Sequence, residues 1–249
     1  MWMFGDLASA PRFSLFGLDH GVTLAAAFVV CIAVPIVGRA LSDKGRIRLA
    51  WWIGGAILVV ELLIKLPVRV AVFDFPLSEE LPLHLCRLGA LAGAWLMFTR
   101  SSWAFDLVYF WAFGGGVLAV LTPDIRIGPP HMIFLLFYVG HTLEILAVTY
   151  AMVVFGLRPT FRSVVRCLVV TQLLMVVIYP LNLLLGSNYL FLNRPPVEAS
   201  IIDSLGSGWQ YLVGLELLAA FFILLCYVPF FLWDLRAYWT RWGPAQRAH

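Results

Sequence analysis

Long apolar runs follow one another along the chain, separated by short breaks that carry charged residues, prolines or glycines. A helix needs about 20 apolar residues to cross a membrane, and seven runs approach or exceed that length. The pattern therefore predicts an all-α fold, a polytopic membrane protein whose bundle of seven transmembrane helices forms one domain over residues 1–249. The spans are predicted at about residues 18–37, 47–73, 81–98, 103–121, 131–155, 164–185 and 211–233.

The basic residues between the spans predict an orientation, because Lys and Arg favour cytoplasmic loops. One set of connections holds only Arg12, Arg126 and Arg194. We therefore expect the N-terminus outside and the C-terminus in the cytoplasm, which agrees with an odd number of spans in a multi-pass protein of the cell membrane. The opposite set holds eleven: Arg39, Lys44, Arg46, Arg48, Arg100, Arg158, Arg162, Arg166, Arg236, Arg241 and Arg247.

The composition supports the membrane assignment and excludes one class of partner. Hydrophobic residues make up 62% of the chain and charged residues 12%, with a mean hydropathy of +0.92, far from the balance of a soluble domain. The net charge is only +3, and no basic stripe is interleaved with aromatic residues, so we expect no nucleic-acid partner. The four cysteines fall in or at the ends of predicted spans, and we expect no disulfide.

The start of the third predicted span, residues 81–88, places three chemically active side chains in an apolar helix: His84, Cys86 and Arg87. Such groups are costly in lipid and need a structural or functional reason. At 100° per residue, His84 and Arg87 share a helix face, whereas Cys86 points about 200° away from His84. A base for a Cys86 nucleophile should therefore come from another helix.

The fifth predicted span offers that base. His141 and Glu144 lie three residues apart on one face, and a carboxylate beside an imidazole fixes its tautomer and raises its basicity. We predict Cys86, His141 and Glu144 as nucleophile, base and orienting group. At about 1.5 Å per residue, Cys86 lies about 7 Å from the outer end of its span and His141 about 15 Å from that of its own. Because of this difference, His131 stays a second candidate base.

Further polar residues predict a cavity open to the external leaflet. Glu61, Lys65 and Arg69 form one stripe of the second span, in which Glu61 and Lys65 are spaced to neutralise each other. Cations in such a cavity suit a phosphate headgroup, so the predicted ligand is a membrane phospholipid. No spacing is typical of a metal site, and no cofactor is expected. The predicted substrate-binding residues are His84, Arg87, Glu61, Lys65, Arg69, Asn182 and Arg194.

Several short segments carry a resemblance to a known family. They are Leu81-Pro82-Leu83-His84-Leu85-Cys86-Arg87-Leu88, Tyr109-Phe110-Trp111 with the following glycines, Leu121-Thr122-Pro123-Asp124, Pro130-His131, Gly140-His141, Asn188-Tyr189, Arg194-Pro195-Pro196 and Asp203-Ser204-Leu205-Gly206. With these segments the chain resembles the YwaF family of bacterial integral membrane proteins over roughly residues 15–235. A eukaryotic relative of that family moves acyl chains between phospholipids with a cysteine and a histidine of a later helix, and more distant relatives hydrolyse fatty-acid esters with a threonine instead. By this resemblance Cys86 matches the nucleophile and His141 the histidine.

The leading hypothesis is a membrane-embedded acyltransferase that moves a fatty acyl chain between lipids through a Cys86 thioester. An external site would meet no acyl-CoA, so the acyl donor is expected to be a membrane lipid. One alternative is an ester lipase that uses the same Cys/His site. The other is a transporter or lipid-binding membrane protein with an embedded polar cavity. The oligomeric state is left open.

Overall fold

The structure is a computed structural model that describes residues 3–5, 7–196 and 201–242. Its regular structure is helical over these residues, apart from an isolated antiparallel bridge between Arg12 and Ile127. Arg247, one of the basic residues used to predict the orientation, lies outside them. Five described segments are long and apolar enough to cross a membrane: Leu18–Ala40, Ser102–Leu121, Met132–Val154, Phe161–Leu185 and Gly208–Arg236.

The first two helices follow the predicted pattern. Helix α1 is Leu18–Ala40. Helix α2 is Asp43–Leu58, and the Ser42 side chain caps its start by accepting a hydrogen bond from the Gly45 N–H. Helical backbone continues from α2 through two π-helical stretches, Val59–Lys65 and Val68–Val72. Such wide turns are frequent at functional sites, and the first of them carries Glu61 and Lys65.

The third predicted span begins later than the sequence indicates. A single helical turn, α3, covers Leu77–Glu80, and α4 covers Leu85–Thr99. His84 has extended backbone angles and precedes the helix, so the prediction of helix from residue 81 is wrong. The 15 residues of α4 span about 22 Å at 1.5 Å per residue, less than the roughly 30 Å of a bilayer's hydrocarbon core.

The remaining helices match the later runs. Helix α5, Ser102–Trp111, continues through the π-helical Ala112–Gly116 into α6, Val117–Leu121. Helix α7 is Met132–Val154, and α8 is Phe161–Leu185, which starts with a capping box of Thr160 and Ser163. Helix α9 is Gly208–Trp242. Short 3-10 turns cover Leu7–Ser9, Tyr189–Phe191 and Ile201–Leu205.

Helix α4 lies at the centre of the bundle, in contact with α2, α5 and α7. Small residues allow these helices to approach closely. A Cβ on Gly54 of α2 would lie 3.1 Å from the Met97 Cβ, and one on Gly93 would lie 3.4 Å from the Ala147 Cβ. Helix α1 packs on α7, α8 on α5, and α9 on α8. The short helix α4 is therefore enclosed by longer ones.

Helix ends that are predicted to lie on the external side do meet at one end of the bundle, which we call the outer end. The Phe13 N–H donates to the Arg126 carbonyl at 2.8 Å, and the Tyr189 hydroxyl donates to the Ser78 carbonyl at 2.7 Å. At the opposite end Arg158 pairs with Asp234, and Arg166 with Asp106. The orientation of this bundle in a membrane stays a prediction. That α2 and α4 also cross the membrane stays a prediction as well.

Candidate functional site

Helices α4 and α7 run side by side in the same direction, and their contacts fix their register. A Cβ on Gly89 would meet the Glu144 Oε1 atom, and one on Gly93 would lie 3.4 Å from the Ala147 Cβ. In both contacts the α7 residue is 54 or 55 positions later than its α4 neighbour. The same offset sets Cys86 level with His141, one turn nearer the outer end.

The two helix faces in this contact carry the predicted catalytic residues. Cys86 and Gly89 are three residues apart on one face of α4, as are His141 and Glu144 on α7. Glu144 also interacts electrostatically with both His141 and Cys86. The fold therefore places Glu144 within electrostatic range of both Cys86 and His141 at the contact between α4 and α7.

The level at which they meet differs from the prediction. His141 is nine residues after Met132, the first residue of α7, or about 14 Å along the helix at 1.5 Å per residue. Cys86 is the second residue of α4 and lies at that same level, because α4 begins much deeper in the bundle than α7. The sequence predicted that Cys86 and His141 lie at different depths, but the offset between the starts of α4 and α7 brings them to the same depth. Cys86 lies inside the bundle, not near its outer surface.

Cys86 is a half-buried free thiol in the first turn of α4. The charges that act on it belong to Lys65, Glu61 and Arg87. His84 precedes the helix and packs its ring against Tyr189, with the ring centroids 5.0 Å apart. Because His84 is not part of the helix, the 100° spacing used to separate it from Cys86 does not apply, and its ring belongs to the contact with Tyr189.

His141 is held by the backbone of its own helix. Its Nδ1 lies 2.8 Å from the Phe137 carbonyl oxygen, a distance that assigns the Nδ1–H as donor. In this tautomer Nε2 carries the lone pair that accepts a proton. No hydrogen bond occupies Nε2 within the described part of the chain. The ring is therefore oriented to act as a base without a carboxylate partner.

Glu144 does not make the hydrogen bond that the sequence predicts. Its side chain is 1% exposed, and neither carboxylate oxygen has a hydrogen-bond partner among the described residues. The carboxylate instead lies against two glycines: a Cβ on Gly89 would meet Oε1, and one on Gly116 would lie 3.3 Å from Oε2. The Phe137 carbonyl, and not Glu144, therefore orients the His141 ring, because His141 Nδ1–H donates its hydrogen bond to that carbonyl.

His131, the second candidate base, has a different place. Its Nδ1 accepts the Ile133 N–H at 3.3 Å, which caps the start of α7. Its Nε2 lies 3.3 Å from the Gly5 carbonyl oxygen. His131 also precedes His141 by ten residues, or about 15 Å along the helix. Both ring nitrogens are used structurally, and the structure does not bring His131 to Cys86.

A buried ion-pair network lies on the outer side of Cys86. Glu61 pairs with Lys65 at 3.0 Å and with Arg87 at 3.2 Å, which confirms the neutralising pair predicted for the second span. Glu80 pairs with Arg69 at 2.7 Å and with Arg87 at 3.4 Å. Three cations and two anions leave one positive charge in excess. Arg87 has both carboxylates as partners, so it holds the network together and is not free to bind a headgroup.

The network reaches the level of His141 through Glu61. A Cβ on Gly140, the residue before His141, would lie 2.6 Å from Glu61 Oε1 and 3.4 Å from Lys65 Nζ. No sequence pattern distinguishes Glu80, which precedes the predicted third span and looks like an ordinary loop acid. Its role depends on α3 folding back onto Arg69 and Arg87, and only tertiary structure creates that contact.

Two predicted substrate-binding residues lie elsewhere. Asn182 is fully buried, and its amide holds the turn after α8: Nδ2 donates to the Tyr189 carbonyl, and Oδ1 accepts from Ser187 Oγ and the Tyr189 N–H. Arg194 is exposed, and its backbone bonds to the Asn188 side chain. Asn182 therefore supports the wall beside His84, and neither residue lies beside Cys86.

Comparison with known proteins gives the family. The sequence model of the TMEM164 family matches residues 15–227. This chain belongs to the TMEM164 family. An uncharacterized protein of Treponema pallidum (strain Nichols) is 31% identical over 233 residues, which cover 90% of this chain and 93% of that protein. No solved structure matches.

The TMEM164 family match covers all three residues of the α4–α7 contact and the whole ion-pair network. Family membership and the apolar helices together make the chain a membrane protein. The family that is shown differs in name from the YwaF family expected from the sequence, and that closer assignment stays a prediction.

Proposed function

We propose that this TMEM164-family protein is a multi-pass acyltransferase of the cell membrane, which moves a fatty acyl chain between lipids through a thioester on Cys86. The observation that carries the proposal is the register of α4 and α7. It sets a half-buried thiol level with His141, whose Nε2 is left to accept a proton. The resemblance to cysteine-dependent phospholipid acyltransferases supports the same assignment.

In the first half-reaction the Cys86 thiol proton passes to His141 Nε2, and Sγ attacks the ester carbonyl carbon of the donor lipid. The C–S bond forms, the ester C–O bond breaks, and His141 returns the proton to the leaving alcohol oxygen. In the second half-reaction an acceptor hydroxyl gives its proton to His141 and attacks the thioester. The C–S bond breaks, and the proton returns to the sulfur.

The ion-pair network supplies the electrostatic setting for this chemistry. Nearby positive charge favours the thiolate that attacks. The charges of Lys65 and Arg87 act on Cys86 in this direction, whereas the burial of the sulfur and the charge of Glu61 oppose it. The Lys65 and Arg69 side chains keep 13% and 25% of their surface exposed, with one positive charge in excess. They are suited to the phosphate of a glycerophospholipid whose ester reaches inward to Cys86.

The proposed topology has seven crossings, with the N-terminus outside and the C-terminus in the cytoplasm. The ion-pair network then faces the external leaflet, where membrane lipids are the available acyl donors. Transfer between lipids is the reaction that we propose, and hydrolysis by the same residues differs from it only in the acceptor.

The test is lipid analysis of proteoliposomes that hold the purified full-length protein. Wild type should create lipids with exchanged acyl chains, and Cys86→Ala and His141→Ala should fall to the protein-free background. The matched control is Cys226→Ala, because Cys226 is also half-buried and the hydrogen bond that it accepts from the Tyr109 hydroxyl uses its backbone carbonyl. It should keep wild-type exchange.

Other outcomes would replace the proposal. Free fatty acid in place of exchanged lipid would make the protein a lipase. Exchange that persists in Cys86→Ala would exclude the nucleophile. A wild-type protein that makes no lipid product but moves a solute or lipid across the bilayer would be a transporter.

A further inference from the structure

A groove lies between α8 and α9 at the outer half of the bundle, apart from the residues that carry the chemistry. Its volume is about 370 Å³. Met175, Val176 and Tyr179 line it from α8, Leu212 lines it from α9, and Leu192 lines it from the connecting turn. The walls are apolar, and they are open at the side of the bundle that the apolar helices present to lipid.

The groove is continuous with the segment that carries Cys86. Leu192 forms a buried cluster with Ile178 and Tyr189, and Met175 and Leu212 of the groove pack on it. The same cluster is packed by three leucines that flank Cys86 along the chain. They are Leu81, Leu83 and Leu88. A packed apolar cluster thus connects the wall of the groove to the segment around the first turn of α4.

A polar bridge marks the inner limit of the groove. The Gln172 side-chain amide donates to the Glu216 carboxylate and joins α8 to α9, and both residues line the groove. Gln172 and Tyr179 are seven residues apart on α8, which places the bridge about 10 Å inward at 1.5 Å per residue. Paired polar groups in lipid are uncommon, and this pair interrupts an otherwise apolar wall.

We propose that this groove holds the fatty acyl chain of the lipid substrate, which enters sideways from the bilayer and ends at the Gln172–Glu216 bridge. The inference rests on the proposed function and adds the chain-binding site to it. A lipid chain fits the groove because its walls are apolar, it opens toward lipid, and its apolar lining continues to the Cys86 segment. The bridge is then a specificity-determining element, because it sets how far an apolar chain extends before it meets a polar group.

The test uses full-length Cys86→Ala protein in nanodiscs of phosphatidylcholine, with a fraction of the lipid carrying a diazirine in one acyl chain. After irradiation, adducts mapped by mass spectrometry should concentrate on Met175, Val176 and Leu212. Val176→Trp should lower this labelling about tenfold, equal to ~1.4 kcal/mol of binding, because the indole fills the groove.

Val177→Trp is the matched control. The two valines are neighbours with similar exposure, 71% for Val176 and 64% for Val177, but Val177 does not line the groove. It should leave the labelling unchanged. Equal effects of the two substitutions would overturn the proposal, and so would uniform labelling around α8. Either result is expected if the lipid only surrounds the helix and no chain binds in the groove. Cross-linked peptides that join two copies across the groove would also overturn it.

Gln172→Leu tests the bridge separately. Removing the polar group should extend labelling inward to Val169, which is exposed one turn before Gln172. Unchanged labelling at Val169 would reject the bridge as the inner limit.

These measurements separate the groove from the reaction, because Cys86→Ala needs only to bind lipid. Groove labelling together with a wild-type protein that exchanges no acyl chains would reject the proposed function and keep the groove. Active acyl exchange by wild type with no preferential labelling of the groove would keep the proposed function and reject the groove as the chain-binding site.

Discussion

Gly89→Ala tests the α4–α7 contact at its tightest point. The added Cβ would occupy the position of Glu144 Oε1, so either the carboxylate rotates away or the two helices move apart. In the first case the Glu144 side chain moves from its place beside Cys86 and His141, with both of which it interacts. In the second the sulfur and the imidazole separate. We expect acyl transfer to fall at least about tenfold, which raises the barrier by ~1.4 kcal/mol.

Folding should change far less than activity. The atom in the way is the end of a flexible side chain, and turning it off its preferred rotamer costs about 1 kcal/mol. Replacing glycine by alanine inside a helix gains about the same amount. The free energy of unfolding should therefore stay within about 1 kcal/mol of wild type, well below the upper range of about 3 kcal/mol for an overpacked rigid core.

The assay measures acyl exchange in proteoliposomes and, on the same samples, thermal unfolding in detergent. Gly55→Ala is the control for helix propensity, because a Cβ there meets nothing within 4 Å. Gly93→Ala is the control for the same face of α4, since its Cβ would make an ordinary 3.4 Å contact with Ala147. Both should keep wild-type exchange. Full acyl exchange in Gly89→Ala would refute the inferred register of α4 and α7. A Gly89→Ala protein that does not fold would refute the estimate that its free energy of unfolding changes by no more than about 1 kcal/mol.

Three other predictions concern stability. Glu61→Gln leaves Lys65 without a charged partner and the buried Arg87 with Glu80 alone, and it should cost about 3–5 kcal/mol of unfolding free energy. Asp43→Asn, in an exposed pair, should cost less than about 1 kcal/mol. Chemical unfolding compares them, and equal costs would contradict the burial argument. His131→Ala removes the side chain that caps the start of α7, so the free energy of unfolding should fall by about 1 kcal/mol, while acyl exchange should be kept. Loss of exchange in a folded His131→Ala protein would make His131 a candidate base again. Asn182→Ala should cost about 1–3 kcal/mol, because buried groups lose their partner, and an unaltered melting temperature would reject its structural role.

The apolar pattern predicted most helices because a membrane-spanning helix is apolar over its whole length. The first run was predicted from residue 18, where α1 begins, and the sixth was predicted to end at residue 185, where α8 ends. The third span was predicted to begin at residue 81, but α4 begins at Leu85, because apolar residues also occur outside helices. Leu81 and Leu83 are as apolar as helix residues, but they precede α4 and pack into the cluster around Tyr189. Apolarity reports burial and does not report backbone conformation.

The candidate site was predictable in its parts but not in its arrangement. Helical spacing indicated that Glu61 would meet Lys65, but the same spacing could not be applied to His84, which precedes α4 with extended backbone. The stagger between α4 and α7 depends on tertiary packing, and so does the capture of Arg87 by two acids, one of them 26 residues distant. Glu144 shows the limit most clearly. Its spacing from His141 is right for a hydrogen bond, yet the Phe137 carbonyl takes the same donor.

The depth of Cys86 bears on which reaction the site favours. A thioester is lost to hydrolysis wherever water reaches it, and a site closed to water protects reactive intermediates. Cys86 lies about 14 Å along α7 from its outer start, beneath an ion-pair network whose charges are mostly paired, and beside an apolar cluster. A lipid hydroxyl arrives with acyl chains that pack on such an apolar cluster, whereas water finds no hydrogen-bond partner there. If Cys86 carries the thioester that we propose, the same depth that makes a polar site costly in a membrane favours transfer between lipids over hydrolysis.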